Sequence, residues 1–265
     1  MNPAATAVTA SAAPVLSTRG LSIRFGGHVA VDAVSCDFFA DTLTAIVGPN
    51  GAGKTTYFNL ISGQLPASAG EVRLYGEDIT ALGAAQRTRR GIGRAFQLTN
   101  LFPHLSVQEN VRLAVQSAAG LGMSLLSLCS RHVELVERAE HYLRRVALGD
   151  KRSQMVATLA HGDKRKLEVA ILLALEPEVL MFDEPTAGMS VDEVPVLLEL
   201  IHEVRAQGDK TILLVEHKLD VVRQLADRIV VLHNGQLVAD GDPARVMASS
   251  VVQQAYLGAT PTAHG

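Results

Sequence analysis

Short apolar runs of two kinds alternate along the chain. Between residues 16 and 80, "GLSIRF", "HVAVDAVSCDF", "TAIVG" and "GEVRLYG" set β-branched and aromatic residues between turn signals, and they predict strands. Further strands are predicted at "VLMFD" (179–183), "TILLVEH" (211–217) and within "RIVVLHNGQLVADG" (228–241). Several of these are almost continuously Val, Ile and Leu. A strand without alternation is buried on both faces, which predicts a parallel sheet covered by helices.

The helical signal has a different period. "DEVPVLLELIHEVRAQG" reads as a helix closed by its glycine. "SVQENVRLAV" opens with Ser106 and Glu109 in capping-box spacing, which marks a helix start. In "RHVELVERAEHYLRRVAL", Leu135, Ala139, Tyr142, Leu143 and Val146 fall on one stripe with charges opposite. A mostly helical segment, about residues 98–172, therefore interrupts an α/β core, with "SAAGLGMS" as a flexible loop inside it. No internal repeat is visible.

Composition narrows the class. The 265 residues are 48% hydrophobic and 19% charged, enough for a core and unlike a disordered chain. A net charge of −3 gives no global signal for nucleic acid. The two cysteines, Cys36 and Cys129, lack metal-ligand spacing and favour a reducing compartment. No apolar run reaches the roughly 20 residues of a spanning helix, and "MNPAATAVTASAAPVLST" lacks the pattern of a secretory signal. Any work at a membrane is expected to proceed by docking.

Two motifs carry chemistry. "GPNGAGKTT", comprising Gly48, Pro49, Asn50, Gly51, Ala52, Gly53, Lys54, Thr55 and Thr56, follows the strand "LTAIV" and satisfies the phosphate-loop pattern. Glycines let several backbone N–H groups approach phosphate oxygens together, and the next helix adds its positive dipole end. Lys54 then reaches the β and γ phosphates and the Thr55 hydroxyl ligates Mg²⁺. "VLMFDEP" describes a buried strand that delivers Asp183 to the sheet's carboxyl edge to hold Mg²⁺ directly or through water, with Glu184 next to it to polarise the attacking water.

These residues resemble one family, the ATP-binding-cassette (ABC) ATPases. The resemblance covers about residues 16–257 and implies ATP as substrate with Mg²⁺. It also implies a P-loop NTPase core of α/β class, with an antiparallel β subdomain and an inserted helical subdomain. On this division residues 1–15 are a flexible N-terminal tail and 258–265 a short tail. Phe25 matches the aromatic that stacks on adenine, the alternative being an ordinary core residue. Gln97 matches the glutamine that touches Mg²⁺ or water and joins core to insert. His217 matches the histidine that hydrogen-bonds the γ-phosphate. Leu159, Ala160, His161, Gly162 and Asp163 occupy the signature position, where one cassette of a head-to-tail pair closes over ATP held by the other. Lys164, Arg165 and Lys166 then either add positive field or lie on a solvated face.

The chain departs from the pattern in two places. Ala160 stands where a serine is usual, His161 replaces a glycine, and "AGMS" (187–190) lacks the typical aspartate. The implied expectation is a weaker signature-side site that still binds ATP. "DEPTAGMS", the His-Gly turn and "VVQQAYLGA" look like the ATPases of branched-chain amino acid importers. Urea and short-chain amide importers follow closely, and lipopolysaccharide-export ATPases follow those. The partners implied are permease subunits, a second cassette (identical or different) and, indirectly, a substrate-binding protein, with the chain peripheral on the cytoplasmic face of the membrane. "LFPHL" is a candidate docking stretch. A non-transport ATPase of DNA or ribosomes fits less well, because there are no sustained heptads and only one phosphate loop.

Overall fold

A computed structural model describes residues 13–95, 101–121, 128–189, 191–192, 194–208 and 210–257. Gln97, Ser190, residues 122–124 of the predicted loop and nearly all of both predicted tails lie outside them. In chain order the elements are β1 Leu16–Phe25, β2 His28–Phe38, β3 Leu43–Val47, α1 Lys54–Ser62, β4 Ala69–Leu74, β5 Glu77–Asp78, α2 Ala84–Arg89 and β6 Ile92–Ala95. Next come α3 Val107–Ala118, α4 Leu128–Arg145, α5 His161–Ala174, β7 Val179–Asp183, α6 Val194–Ala206 and β8 Thr211–Val215. The chain continues with α7 Leu219–Leu225, β9 Arg228–His233, β10 Gln236–Gly241, α8 Pro243–Met247 and α9 Ser250–Leu257.

The apolar runs assemble into a six-stranded sheet of order β10-β9-β3-β8-β7-β6, parallel except at the β10 edge. Every residue of β3, β7 and β8 is buried. Alternation along these strands divides their side chains between two cores. Val179, Met181, Leu213 and Val215 join Tyr57, Phe58 and Ile61 of α1. Leu180, Phe182, Ile212 and Leu214 join residues of α5, α6 and α7 on the other face. A second sheet, β2-β1-β4-β5, is antiparallel throughout and adds Leu21, Ile23, Val31 and Val72 to the α1 core. Helix α1 is thus packed between two sheets.

Three helices, α3 to α5, share a core that includes Val111, Val115, Leu135, Ala139, Leu143, Val146 and Leu167. The predicted stripe is buried at all five positions, four of them on α4 and the fifth, Val146, one residue past its end. The cap of α3 is only half as expected. Ser106 Oγ accepts the Glu109 N–H at 3.1 Å, but the Glu109 carboxylate pairs with Arg112 at 2.8 Å instead of reaching back to the cap. A charged partner one turn ahead outcompetes a neutral backbone N–H. Helix α5 runs to Ala174, so the helical region extends slightly past the expected boundary.

One buried cation ties α1 to its surroundings. Arg87, only 2% exposed, donates to the carbonyls of Leu60 and Ile61 at the end of α1, both at 2.7 Å. It also donates to Leu82 and Thr80, both at 2.8 Å. The Leu60 and Ile61 carbonyls lie in the last turn of α1, at the negative end of the helix dipole. Burial lowers the guanidinium pKa to about 10, so it stays charged at neutral pH.

Candidate functional site

The turn after β3 is built by backbone crowding. A Cβ at Gly53 would lie 2.4 Å from the Ala30 carbonyl oxygen, and Gly53 sits at φ +95°. Only glycine is compatible with both constraints. Behind the turn, the Asn234–Gly235 connection of β9 and β10 has φ of 48° and 78°, the hairpin geometry that matches strand twist. Its Gly235 N–H donates to the Ala52 carbonyl at 3.0 Å, and the Asp32 N–H donates to the Gly235 carbonyl at 2.8 Å. Two hairpins therefore buttress one loop.

A cavity of about 410 Å³ opens over this loop. It is lined by Phe25, His28, Ala30, the loop residues from Asn50 to Thr56, Glu184 and His217. Residues nearly two hundred positions apart thus meet at one concave surface. Phe25 is 50% exposed at the rim, which excludes the core alternative. Helix α1 starts at Lys54 with no side-chain cap, so its first N–H groups are free of side-chain acceptors and face an anion-binding position. The Lys54 ammonium donates to the carbonyls of Gly48 at 2.8 Å and Pro49 at 2.9 Å. Burial lowers its pKa, while the nearby carboxylates of Glu184 and Asp183 act against that shift. Gly48 and Pro49 are not part of the cavity wall; they seat the lysine.

The carboxylates at the end of β7 differ. Asp183 is 6% exposed, and its Oδ2 accepts from Arg94 at 2.5 Å. Its Oδ1 is buried without a hydrogen-bond partner among the described residues. Burial raises the Asp183 pKa and Arg94 opposes the rise. Glu184 turns into the cavity at φ +50°, with its N–H donating to the Val215 carbonyl at 2.9 Å. His217 Nε2 lies 2.5 Å from Glu184 Oε1. Buried Glu216 holds this corner together: it accepts from the Thr186 hydroxyl at 2.7 Å and from the His217 N–H at 3.1 Å. Among the described residues no group of three His, Cys, Asp or Glu could hold a metal ion. A carboxylate oxygen and the Thr55 hydroxyl fit a hard cation that keeps other oxygen ligands, as Mg²⁺ does with phosphates.

The signature segment lies elsewhere. Ala160 caps α5 without a side-chain hydrogen bond and His161 is exposed at its first turn. Leu159 and Asp163 face inward; Asp163 pairs with Lys151 and, at 3.7 Å, with Lys166. Arg165 pairs with Glu168 at 3.0 Å. The basic cluster is therefore neither a solvated face nor a bare positive field, because neighbouring carboxylates engage two of its three members. The His161 ring rests on Gly188, where a Cβ would lie 3.1 Å from its Cε1. In "LFPHL", Phe102 is 53% exposed, and buried Asn110 fixes its backbone from both sides, accepting its N–H at 2.9 Å and donating to its carbonyl at 3.2 Å.

Three contributors escaped the sequence reading: His28, Arg94 and Glu216. His28 lies three residues after Phe25 across a Gly-Gly turn, a spacing that would have placed it at the same rim. Arg94 and Glu216 gave no signal beyond a charge in or beside an apolar run.

Comparison with known proteins agrees with this geometry. Residues 31–187 match the protein family described as ABC transporter. The branched-chain amino acid transport ATP-binding protein LivG of Escherichia coli K12 is 38% identical over 250 residues, 92% of this chain and 98% of LivG. Its counterpart BraF of Pseudomonas aeruginosa is 37% identical over 251 residues, again 92% and 98%. A ribose import ATP-binding protein of Rubrobacter xylanophilus is 34% identical over 226 residues, 85% of this chain and 44% of that protein. Among solved structures, the ADP conformation of MJ1267, an ATP-binding cassette of an ABC transporter, superposes with a TM-score of 0.79 at 30% identity. It covers 92% of this chain and 98% of its own. The chain belongs to the ABC transporter family and is an ATP-binding, ATP-hydrolysing cassette.

Proposed function

We propose that this chain is the ATPase subunit of an importer of branched-chain amino acids, held at the cytoplasmic face of a membrane by permease subunits. The observation that carries the ATPase site is the convergence of Phe25, the phosphate loop, Glu184 and His217 on one cavity. The cargo reading rests on likeness to LivG and BraF over nearly the whole chain. No helix among the described residues is long and apolar enough to cross a membrane, in keeping with a docked subunit.

In this reading residues 16–257 form one domain with the helical part inserted. Phe25 stacks on adenine, the N–H groups from Asn50 to Thr56 cradle the phosphates, and Lys54 leaves its carbonyls for the β and γ oxygens. Thr55 and Asp183 would hold Mg²⁺, directly or through water, with Gln97 as a further ligand, and a bound ion would supply positive charge to the phosphate oxygens. Glu184 polarises the attacking water, and His217 orients Glu184 and binds the γ-phosphate. The α5 turn, His161 with Gly162, closes over ATP on a second cassette, identical or different. Exposed Phe102 belongs to the face that meets the permease. The His-Gly turn supports a second cargo reading, urea or a short-chain amide.

Two measurements test these statements. Glu184→Gln is expected to retain ATP binding by calorimetry while turnover falls about 10²- to 10⁴-fold; undiminished turnover refutes the assigned role. The complex recovered from native membranes is then reconstituted with its binding protein. ATPase stimulation by leucine, isoleucine or valine supports the first cargo reading, and stimulation by urea or amides alone replaces it.

A further inference from the structure

Glu184 and His217 stand at the ends of different strands, yet they meet at 2.5 Å on the wall of one cavity. Neither position is one the chain holds by itself. Glu184 has a left-handed φ of +50°, which a residue with a Cβ keeps only when its surroundings impose it. His217 lies in the short connection between β8 and α7.

Glu216 supplies the constraint from behind the cavity. The residue is only 2% exposed, and neither it nor Thr186 lines the cavity wall. Its Oε1 accepts the Thr186 N–H at 3.1 Å and the Thr186 hydroxyl at 2.7 Å, two residues beyond Glu184. Its Oε2 accepts the N–H groups of His217 at 3.1 Å and Lys218 at 3.4 Å. One oxygen holds the segment that carries Glu184, and the other holds the segment that carries His217. The Glu184 N–H also donates to the Val215 carbonyl at 2.9 Å, so the left-handed turn is pinned on both sides.

We propose that Glu216 is a positioning residue for hydrolysis, a two-sided clamp that sets Glu184 against His217 and takes no part in nucleotide binding. This rests on the reading of Glu184 and His217 as the groups that act on the attacking water and the γ-phosphate. Releasing either side of the clamp lets the Glu184 turn relax and moves its carboxylate. A displacement of about 1 Å at a reacting group costs about 100-fold in rate. The contacts of Phe25 and the phosphate loop are untouched, so the loss falls on kcat and spares ATP affinity.

The test is steady-state ATP hydrolysis by the full-length chain, with ATP binding followed by calorimetry. In Glu216→Gln the amide keeps one acceptor oxygen and turns an NH₂ toward donors, which opens one side of the clamp. Its kcat is expected to fall about 10- to 100-fold with ATP affinity as in the parent. Thr186→Val keeps the shape of the side chain and removes the hydroxyl donor, and it is expected to lower kcat about tenfold. Thr186→Ser restores the donor and recovers most of that loss. Packing alone at buried Thr186 predicts the reverse order, since valine fills the space and serine leaves a gap. The Thr186 pair carries the test if Glu216→Gln does not fold. Parental kcat in the folded variants overturns the proposal, as does the reverse order or a loss of ATP affinity with kcat kept. Glu184→Gln separates the two levels. If it keeps turnover, the reading of the site fails. If it loses turnover while Glu216→Gln and Thr186→Val keep the parental kcat, only the present inference fails.

Discussion

Helices α1 and α5 both begin without a side-chain cap, and they are held by opposite means. Helix α1 starts from Gly53, whose backbone is pressed against Ala30 and whose loop is bonded to the Gly235 turn. Helix α5 starts from Ala160 in an ordinary extended conformation, with exposed His161 as its first residue. The first set of free N–H groups faces a cavity walled by five separate stretches of this same chain. The second lies apart from that cavity, with the His161 ring resting on Gly188 beside it. A helix start enclosed within its own chain is thus held by rigid backbone on more than one side. The start of α5, with Ala160 and His161 exposed, has no such enclosure.

Substitutions at the two helix starts sharpen this contrast. The largest effect is expected at Gly53→Ala, which combines a left-handed φ with overlap against a carbonyl. A loss of about 3 kcal/mol follows from the strain and overpacking together. Thermal unfolding reads it as a clear drop in Tm, and ATP binding should weaken with it. A Tm unchanged from the parent would mean the loop is far softer than its contacts imply.

Next in size is Gly188→Ala beneath His161. The φ of +73° is strained for alanine, but the clashing atom is the end of a side chain that can turn away. About 1–2 kcal/mol is expected. The double variant Gly188→Ala with His161→Gly should recover the steric part and leave the backbone part. A cost that is purely additive would show that the ring does not rest on Gly188 in solution.

The smallest effect carries the opposite sign. Ala160→Ser supplies the missing cap to α5 and should stabilise the protein by about 1 kcal/mol. For a chain of this size that is about 2–4 °C in Tm. Destabilisation would mean that the first turn of α5 is already satisfied by another group.

Most of the architecture was legible because burial on both faces leaves a strong mark. "TAIVG", "VLMFD" and "TILLVEH" carry no alternation, and the strands within them are the buried parallel ones. The phosphate loop was legible for a related reason, since glycine spacing records where backbone must approach closely. The cap of α3 was read only in part, because whether Glu109 turns back or meets Arg112 depends on side-chain competition that the spacing does not encode. The signature cluster was less legible still. Lys164, Arg165 and Lys166 look alike in sequence, yet Asp163 and Glu168 engage two of them only because one helical turn brings these carboxylates alongside.

Hydrophobic period and glycine placement are local properties, so the sheet, the helical insertion and the phosphate-loop pattern can be read along the chain. The roles of the buried charges are set by the assembled fold. Arg87 finds four carbonyls around the end of α1, Arg94 joins the phosphate-loop helix to Asp183, and Glu216 links Thr186 to His217. A buried charge must find partners wherever the fold provides them, and those partners lie on elements far apart in the chain. No local pattern records such distances.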